Sequence, residues 1–170
     1  MNTAIIIAGG SGRRMGQDIP KQFISVYDRP VLMYTLESFQ RHPQVEAIVV
    51  VCLEGWTDVV WAYGKQFGMD KLKNVITGGE SAQDSIRIGV ESLTDMEEDD
   101  MVIIHDGVRP LVDEAVLTNV MVTCAKYGNG VSSMPYNEQI FILDDEISTT
   151  KYIPRETLRR VVTPLAYRYG

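Results

Sequence analysis

The sequence predicts an α/β fold: a doubly wound, Rossmann-like, mostly parallel sheet covered by helices. Two observations predict it. Short, continuously apolar runs bounded by turn residues recur at 4–8, 46–53, 74–77 and 101–105, the pattern of strands buried on both faces. Longer segments with helical spacing of apolar residues alternate with them, at 31–41, 57–67, 81–93 and 114–127. Strands alternating with helices build βαβ units.

Each element has its own justification. The first run, Ala4-Ile-Ile-Ile-Ala8, is far too short for a membrane span, and no basic segment precedes it as a secretory signal requires, so it reads as a buried strand. Ser81, three residues before Asp84, and Asp113, just before an apolar-periodic run, have N-cap chemistry. Gly128 to Gly130 ends the last helix. From Tyr136 to Arg155 the pattern changes to Gln139-Ile-Phe-Ile-Leu143, an acidic turn Asp144-Asp145-Glu146, and a second run from Ile147 to Ile153. That is a two-stranded arm, and because an isolated hairpin is marginal in water, it is expected to pack on something else.

The chain has 170 residues, 16 basic against 23 acidic, for a formal charge of −7. A net-negative chain is repelled by polyanions, so non-specific nucleic-acid binding and attachment to an anionic membrane are excluded as primary functions. Any phosphate-bearing ligand must find locally clustered cations. With 45% hydrophobic residues the chain can bury a core. Its cysteines, Cys52 and Cys124, are too few for a disulfide framework or a zinc site and fit a reducing cytoplasm.

The first strand runs into Ala8-Gly9-Gly10-Ser11-Gly12-Arg13-Arg14-Met15-Gly16, and Lys21 follows Pro20. Glycines let backbone N–H groups converge on a phosphate, while Arg14 and Lys21 could supply charge. A purely structural tight turn is an even alternative for the glycines alone; the basic neighbours favour anion binding. No Gly-Lys-Ser/Thr follows as in a P-loop, and Met15 occupies the third glycine position of the dinucleotide fingerprint.

This segment with Pro20-Lys21-Gln22 resembles the signature of the cytidylyltransferase family acting on 2-C-methyl-D-erythritol 4-phosphate or ribitol 5-phosphate. Further motifs follow in the family's order and at about its spacing: Gly78-Gly79-Glu80 with Asp84-Ser85-Ile86, His105-Asp106-Gly107-Val108-Arg109-Pro110, and Arg155 with Val162-Thr163-Pro164. The resemblance covers essentially the whole chain.

It implies transfer of CMP from CTP to a polyol phosphate, releasing pyrophosphate and forming a CDP-polyol. By this resemblance Arg14 and Lys21 are catalytic, stabilising the pentacoordinate phosphorus and the departing pyrophosphate. Ala8, Gly9, Gly10, Gly12, Gly78, Gly79, Ser85, Asp106 and Gly107 match CTP-binding positions, with Gly78, Gly79 and Ser85 reading the cytosine. Asp106 matches the Mg2+ ligand, and Asp106, Arg109, Arg155 and Thr163 match acceptor contacts. The family also implies a homodimer joined through the protruding β-arm, 136–155; a cytoplasmic location and no nucleic-acid or membrane partner are expected from the cysteines and the net charge.

Each residue has a plainer reading. Ser85 can simply pack inside a helix start, Asp106 can pair with Arg109, Arg155 can be a solvated charge and Thr163-Pro164 a strand end. His105, flanked by apolar strand residues, reads as a satisfied core histidine. The chain also departs from the family. Ala82 stands where an arginine is common, Asn137-Glu138-Gln139 stands where methylerythritol-phosphate enzymes offer Asp-Thr-x-Lys, and Gly107-Val108 replaces Ala-Ala. The last two lean towards ribitol phosphate or another polyol phosphate, with both acceptors left open: ribitol phosphate implies wall or capsule polymers, methylerythritol phosphate isoprenoid precursors. Residues 1–170 read as one nucleotidyltransferase domain lacking the family's C-terminal helix and strand, with reduced turnover expected. The alternatives are a sugar- or choline-phosphate nucleotidyltransferase and a non-catalytic nucleotide-binding module.

Overall fold

Parallel strands make the centre of the sheet in the computed structural model, which describes residues 1–10 and 19–170. Gly12 and Arg14 fall in 11–18, outside the described residues. In chain order the elements are β1 (Asn2–Ala8), a small hairpin of β2 (Ser25–Val26) and β3 (Arg29–Pro30), α1 (Val31–Arg41), β4 (Ala47–Cys52), α2 (Thr57–Gln66), β5 (Leu72–Thr77), α3 (Ala82–Glu91), β6 (Met101–Asp106) and α4 (Glu114–Tyr127). There follow β7 (Asn129–Pro135), the arm strands β8 (Ile140–Ile142) and β9 (Lys151–Ile153), and β10 (Arg159–Arg168). The sheet order is β5-β4-β1-β6-β10-β7.

The apolar runs are strands because both their faces are covered. Along β1, Ala4, Ile6 and Ala8 join one cluster with Leu32, Leu36 and Phe39 of α1, Val60 of α2 and Leu117 and Val120 of α4. The alternate residues Ile5 and Ile7 meet Ile86 and Val90 of α3 on the other face. This period-two division is what a pleated strand between two layers requires. Every residue of β4 is buried, and β1 pairs in parallel with β4 and β6 on its two sides.

The helix ends follow from their caps. Ser81 Oγ accepts from Asp84 N at 3.0 Å while Ser81 N donates to Asp84 Oδ2 at 3.2 Å, a complete capping box. Asp113 Oδ1 accepts from Val116 N at 2.9 Å. Gly128, at φ 87°, closes α4 in the left-handed region that favours glycine.

The short β2–β3 hairpin and two strands of the main sheet were not expected from the sequence. β7 reads Asn-Gly-Val-Ser-Ser-Met-Pro and buries little; β10 is exposed over its first three residues. Neither carries the apolar run that marks the central strands. β10 inserts antiparallel between β6 and β7, so Thr163-Pro164 lies inside a strand, at an irregularity between Val161 and Leu165, and is not a strand end. The arm pairs β8 with β9 antiparallel, as a two-stranded sheet of its own. No helix among the described residues is long and apolar enough to cross a membrane.

His42, just past α1, is 1% exposed. Its Nδ1 accepts from Gln44 N at 3.3 Å, which puts the ring proton on Nε2, 3.0 Å from Thr118 Oγ1. Burial holds its pKa below the ordinary 6.5; Lys71 pushes the same way and Glu114 opposes. Below about pH 6.5 the unfolded chain therefore binds a proton that the folded chain resists. Stability contributed by neutral His42 is complete above that pH and falls as pH drops towards the lowered folded value. Urea midpoints at pH 7.5 and 5.5 are expected to fall less for His42→Gln than for the unaltered chain; equal falls would exclude the effect.

Candidate active site

The carboxyl ends of β1, β5 and β6 meet on one edge of the sheet, the place where open α/β sheets bind ligands. Gly78 N donates to Cys52 O at 2.8 Å, continuing the ladder past β5. Gly79 N donates to Ser85 Oγ at 3.2 Å, and that hydroxyl donates to Ser81 O at 3.0 Å. Ser85 is 2% exposed. A methyl group at Gly78 would stand 2.6 Å from Ser85 Oγ and one at Gly9 3.5 Å from the same atom. The Ser85 hydroxyl thus lies between the ends of β1 and β5, and only glycine at 78 allows so close an approach.

The second wall is the turn after β6. Gly107 N donates to Ile7 O at 2.8 Å, and Thr35 Oγ1, buried on α1, donates to Gly107 O at 2.9 Å. Arg109 Nε meets Asp106 Oδ2 at 2.6 Å with both side chains partly exposed, so the pair contributes little to stability and can open. Asp106 N donates to Thr163 Oγ1 at 3.3 Å, which brings β10 into the site. The expected alternative for Asp106, a pair with Arg109, is present, and the same geometry places both groups at the strand ends.

The third wall is the turn Lys21–Phe23. Lys21 Cε lies 3.9 Å from the position a methyl on Gly10 would take, so the ammonium stem runs over the start of the glycine-rich segment. Gln22, fully buried, donates Nε2 to Ala8 O at 2.5 Å. Phe23 stacks on Trp56 with centroids 4.2 Å apart.

Arg155 stands on the arm, in the turn Arg155–Thr157. Its ion pair among the described residues is with Glu156, at 3.4 Å. A cleft of about 490 Å³ beside it is lined by Phe141, Tyr152 and Pro154. This cleft is formed by arm residues and the turn that follows them.

His105 is buried as expected, 1% exposed, but satisfied at one nitrogen only. Nε2 lies 3.0 Å from Arg109 O, and Nδ1 has no partner among the described residues. Gln22 entered the sequence reading only as part of the Pro20-Lys21-Gln22 signature, with no role given, and Thr35 was not singled out, although it is a polar residue on the buried stripe of Leu32, Leu36 and Phe39. No group of three or more His, Cys, Asp or Glu side chains that could hold a metal occurs among the described residues. Asp106, a carboxylate at these strand ends, is a hard oxygen donor. It fits Mg2+, which takes one or two protein carboxylates and draws its other ligands from phosphates and water.

Residues 2–170 match the family described as IspD: 2-C-methyl-D-erythritol 4-phosphate cytidylyltransferase. The chain belongs to this family. It is 58% identical over 170 residues to the ribitol-5-phosphate cytidylyltransferase of Lacticaseibacillus paracasei, covering 99% of this chain and 73% of that one. It is 33% identical over 174 residues to the 2-C-methyl-D-erythritol 4-phosphate cytidylyltransferase of Clostridium acetobutylicum, again covering 99% and 73%. The fold of this cytidylyltransferase-family chain is that of the 4-diphosphocytidyl-2C-methyl-D-erythritol synthase of Anaerococcus prevotii, with TM-score 0.83 at 24% identity over 99% of this chain and 70% of that one.

Proposed function

We propose that this chain is a cytidylyltransferase that transfers CMP from CTP to ribitol 5-phosphate. The observation that carries the reading is the convergence of Gly9, Gly78, Ser85, Asp106 and Lys21 on one end of the sheet. The higher identity to the ribitol-phosphate relative, 58% against 33%, favours that acceptor over 2-C-methyl-D-erythritol 4-phosphate.

In this reading the cytosine lies against Ser85 and the backbone of Gly78 and Gly79, and the triphosphate runs from Ala8, Gly9 and Gly10 towards Lys21 and Gly107. An oxygen of the acceptor phosphate attacks the α-phosphorus. The new P–O bond forms as the bond to the β-phosphate oxygen breaks, and pyrophosphate carries away that electron pair. Both partners are anionic, so catalysis consists of holding them in line and neutralising charge. Lys21 faces the triphosphate, with Arg14 and Gly12 in the adjoining segment. Bound at Asp106, Mg2+ would supply charge neutralisation at the phosphate oxygens.

Arg109 turns from Asp106 to the acceptor phosphate, where its fork can donate two parallel hydrogen bonds. Thr163 adds a hydroxyl beside it. Arg155 completes the acceptor site of a second copy through the 136–155 arm, whose exposed Phe141, Leu143, Ile147 and Tyr152 support a homodimer. The reaction takes place in the cytoplasm, where CTP is available.

The test is pyrophosphate release with CTP and Mg2+, run in parallel with ribitol 5-phosphate and 2-C-methyl-D-erythritol 4-phosphate, with sedimentation of the same sample. Faster turnover with ribitol 5-phosphate and a dimer are expected. Preference for the methylerythritol substrate would overturn the acceptor, no release with either would overturn the activity of this chain, and a monomer would remove the arm's role.

A further inference from the structure

Among the buried polar side chains, Gln22, Thr35 and His105 have something in common. Each reaches a backbone carbonyl at the strand ends: Ala8, Gly107 and Arg109 respectively. His105 is the least expected of them, because half of its hydrogen-bonding capacity is unused.

A carbonyl only accepts, so the 3.0 Å contact to Arg109 O requires the proton on Nε2. Nδ1 is then a bare acceptor without a partner among the described residues, and an unmet buried polar group opposes folding. Phenylalanine would fill the space without that cost, since the ring already packs against Phe39 with centroids 5.2 Å apart. Packing therefore does not account for a histidine at this position, whereas the bond from Nε2 does.

That bond spans the 106–109 turn from beneath. The turn's other ties include Arg109 N to Asp106 O at 3.1 Å, Gly107 N to Ile7 O at 2.8 Å, Thr35 Oγ1 to Gly107 O at 2.9 Å, Asp106 N to Thr163 Oγ1 at 3.3 Å and the Arg109–Asp106 ion pair. None of them holds the Arg109 carbonyl. Without the imidazole, the Arg109–Pro110 peptide plane can tilt within the extended range that proline leaves to the residue before it, and the backbone that carries the guanidinium beside Asp106 is less firmly fixed.

We infer that His105 is a positioning residue: its Nε2–H fixes the Arg109 carbonyl and so sets Arg109 and Asp106 for the acceptor phosphate. The part concerning the acceptor rests on the reaction proposed above; the brace itself does not.

The test compares His105→Phe, which keeps a ring and loses the donor, with His105→Gln, whose amide can place a donor near the Nε2 position. Hydrogen exchange at Gly107 N and Arg109 N is expected to accelerate at least tenfold in His105→Phe and to return towards the unaltered rate in His105→Gln. The KM for ribitol 5-phosphate is expected to rise about tenfold in His105→Phe, with the KM for CTP within twofold and partial rescue by His105→Gln.

Unchanged exchange in His105→Phe overturns the brace. So do failure of His105→Gln to restore it and an equal rise of both KM values. If His105→Phe does not fold, His105→Gln against His105→Asn makes the same comparison, because the shorter amide cannot reach Arg109 O. If the unaltered chain turns over neither polyol phosphate, the proposed reaction falls, and the exchange rates alone decide the brace.

Discussion

Lys21→Ala is expected to lower the turnover number for pyrophosphate release about a hundred- to a thousand-fold while changing the KM for CTP by less than about fivefold, the range for losing one preorganised charge at a developing anion. Charge rises around the α-phosphorus and the departing pyrophosphate only as the reaction proceeds. A cation aimed there contributes more to the transition state than to the bound nucleotide. Lys21 is held where this is possible: Gln22, its chain neighbour, is tied to Ala8 O, Phe23 is stacked on Trp56, and the lysine stem passes over Gly10. Lys21→Arg should retain part of the rate, since it keeps charge but not shape. Steady-state kinetics with CTP varied at saturating ribitol 5-phosphate gives both constants. A turnover number within fivefold of the unaltered chain would remove Lys21 from the chemistry.

The sheet's central strands were legible because each is covered on both faces, which leaves a continuous apolar run such as Ala4 to Ala8 in the sequence. Helix ends were legible where a side chain does the capping: Ser81 and Asp113 take the positions their chemistry required. β7 and β10 escaped because their stability comes from neighbours and not from their own composition. β10 is recruited by hydrogen bonding to β6 and β7, and its residues 159–161 are exposed.

The site divides in the same way. The family resemblance of spaced motifs pointed to Gly78, Gly79, Ser85 and Asp106, and the structure brings these positions to the strand ends. The supports' roles were not visible, although Gln22 and His105 stand inside those motifs. Gln22, Thr35 and His105 act by aiming one atom at a backbone carbonyl, and nothing in a residue's identity says which carbonyl lies in front of it. Arg155 was legible in place as well as in kind: the sequence put it at the end of the 136–155 arm, and it stands there in the turn after β9, beside Glu156.

Gly130→Ala is expected to destabilise the fold by about 3 kcal/mol, the upper end of the usual cost of overpacking, and to lower Tm by roughly 10 °C. Gly130 is buried in β7 and pairs with Ala166 of β10. A methyl group there would overlap the Val120 carbonyl oxygen, far inside carbon–oxygen contact distance, and lie 3.2 Å from Cys124 N. Both belong to the backbone of α4, which cannot rotate aside as a side chain would. Gly128, two residues earlier, is the internal control. Its substitution meets open space and only the φ of 87° opposes it, at a cost of about 1–2 kcal/mol. Thermal melts should therefore rank Gly130→Ala well below Gly128→Ala, and equal Tm values would show that α4 yields. The consequence reaches the site, because β7 holds β10 and β10 carries Thr163 to Asp106. Pushing β7 off α4 loosens the acceptor side first, so at temperatures where Gly130→Ala is still folded its KM for ribitol 5-phosphate should rise before its KM for CTP does.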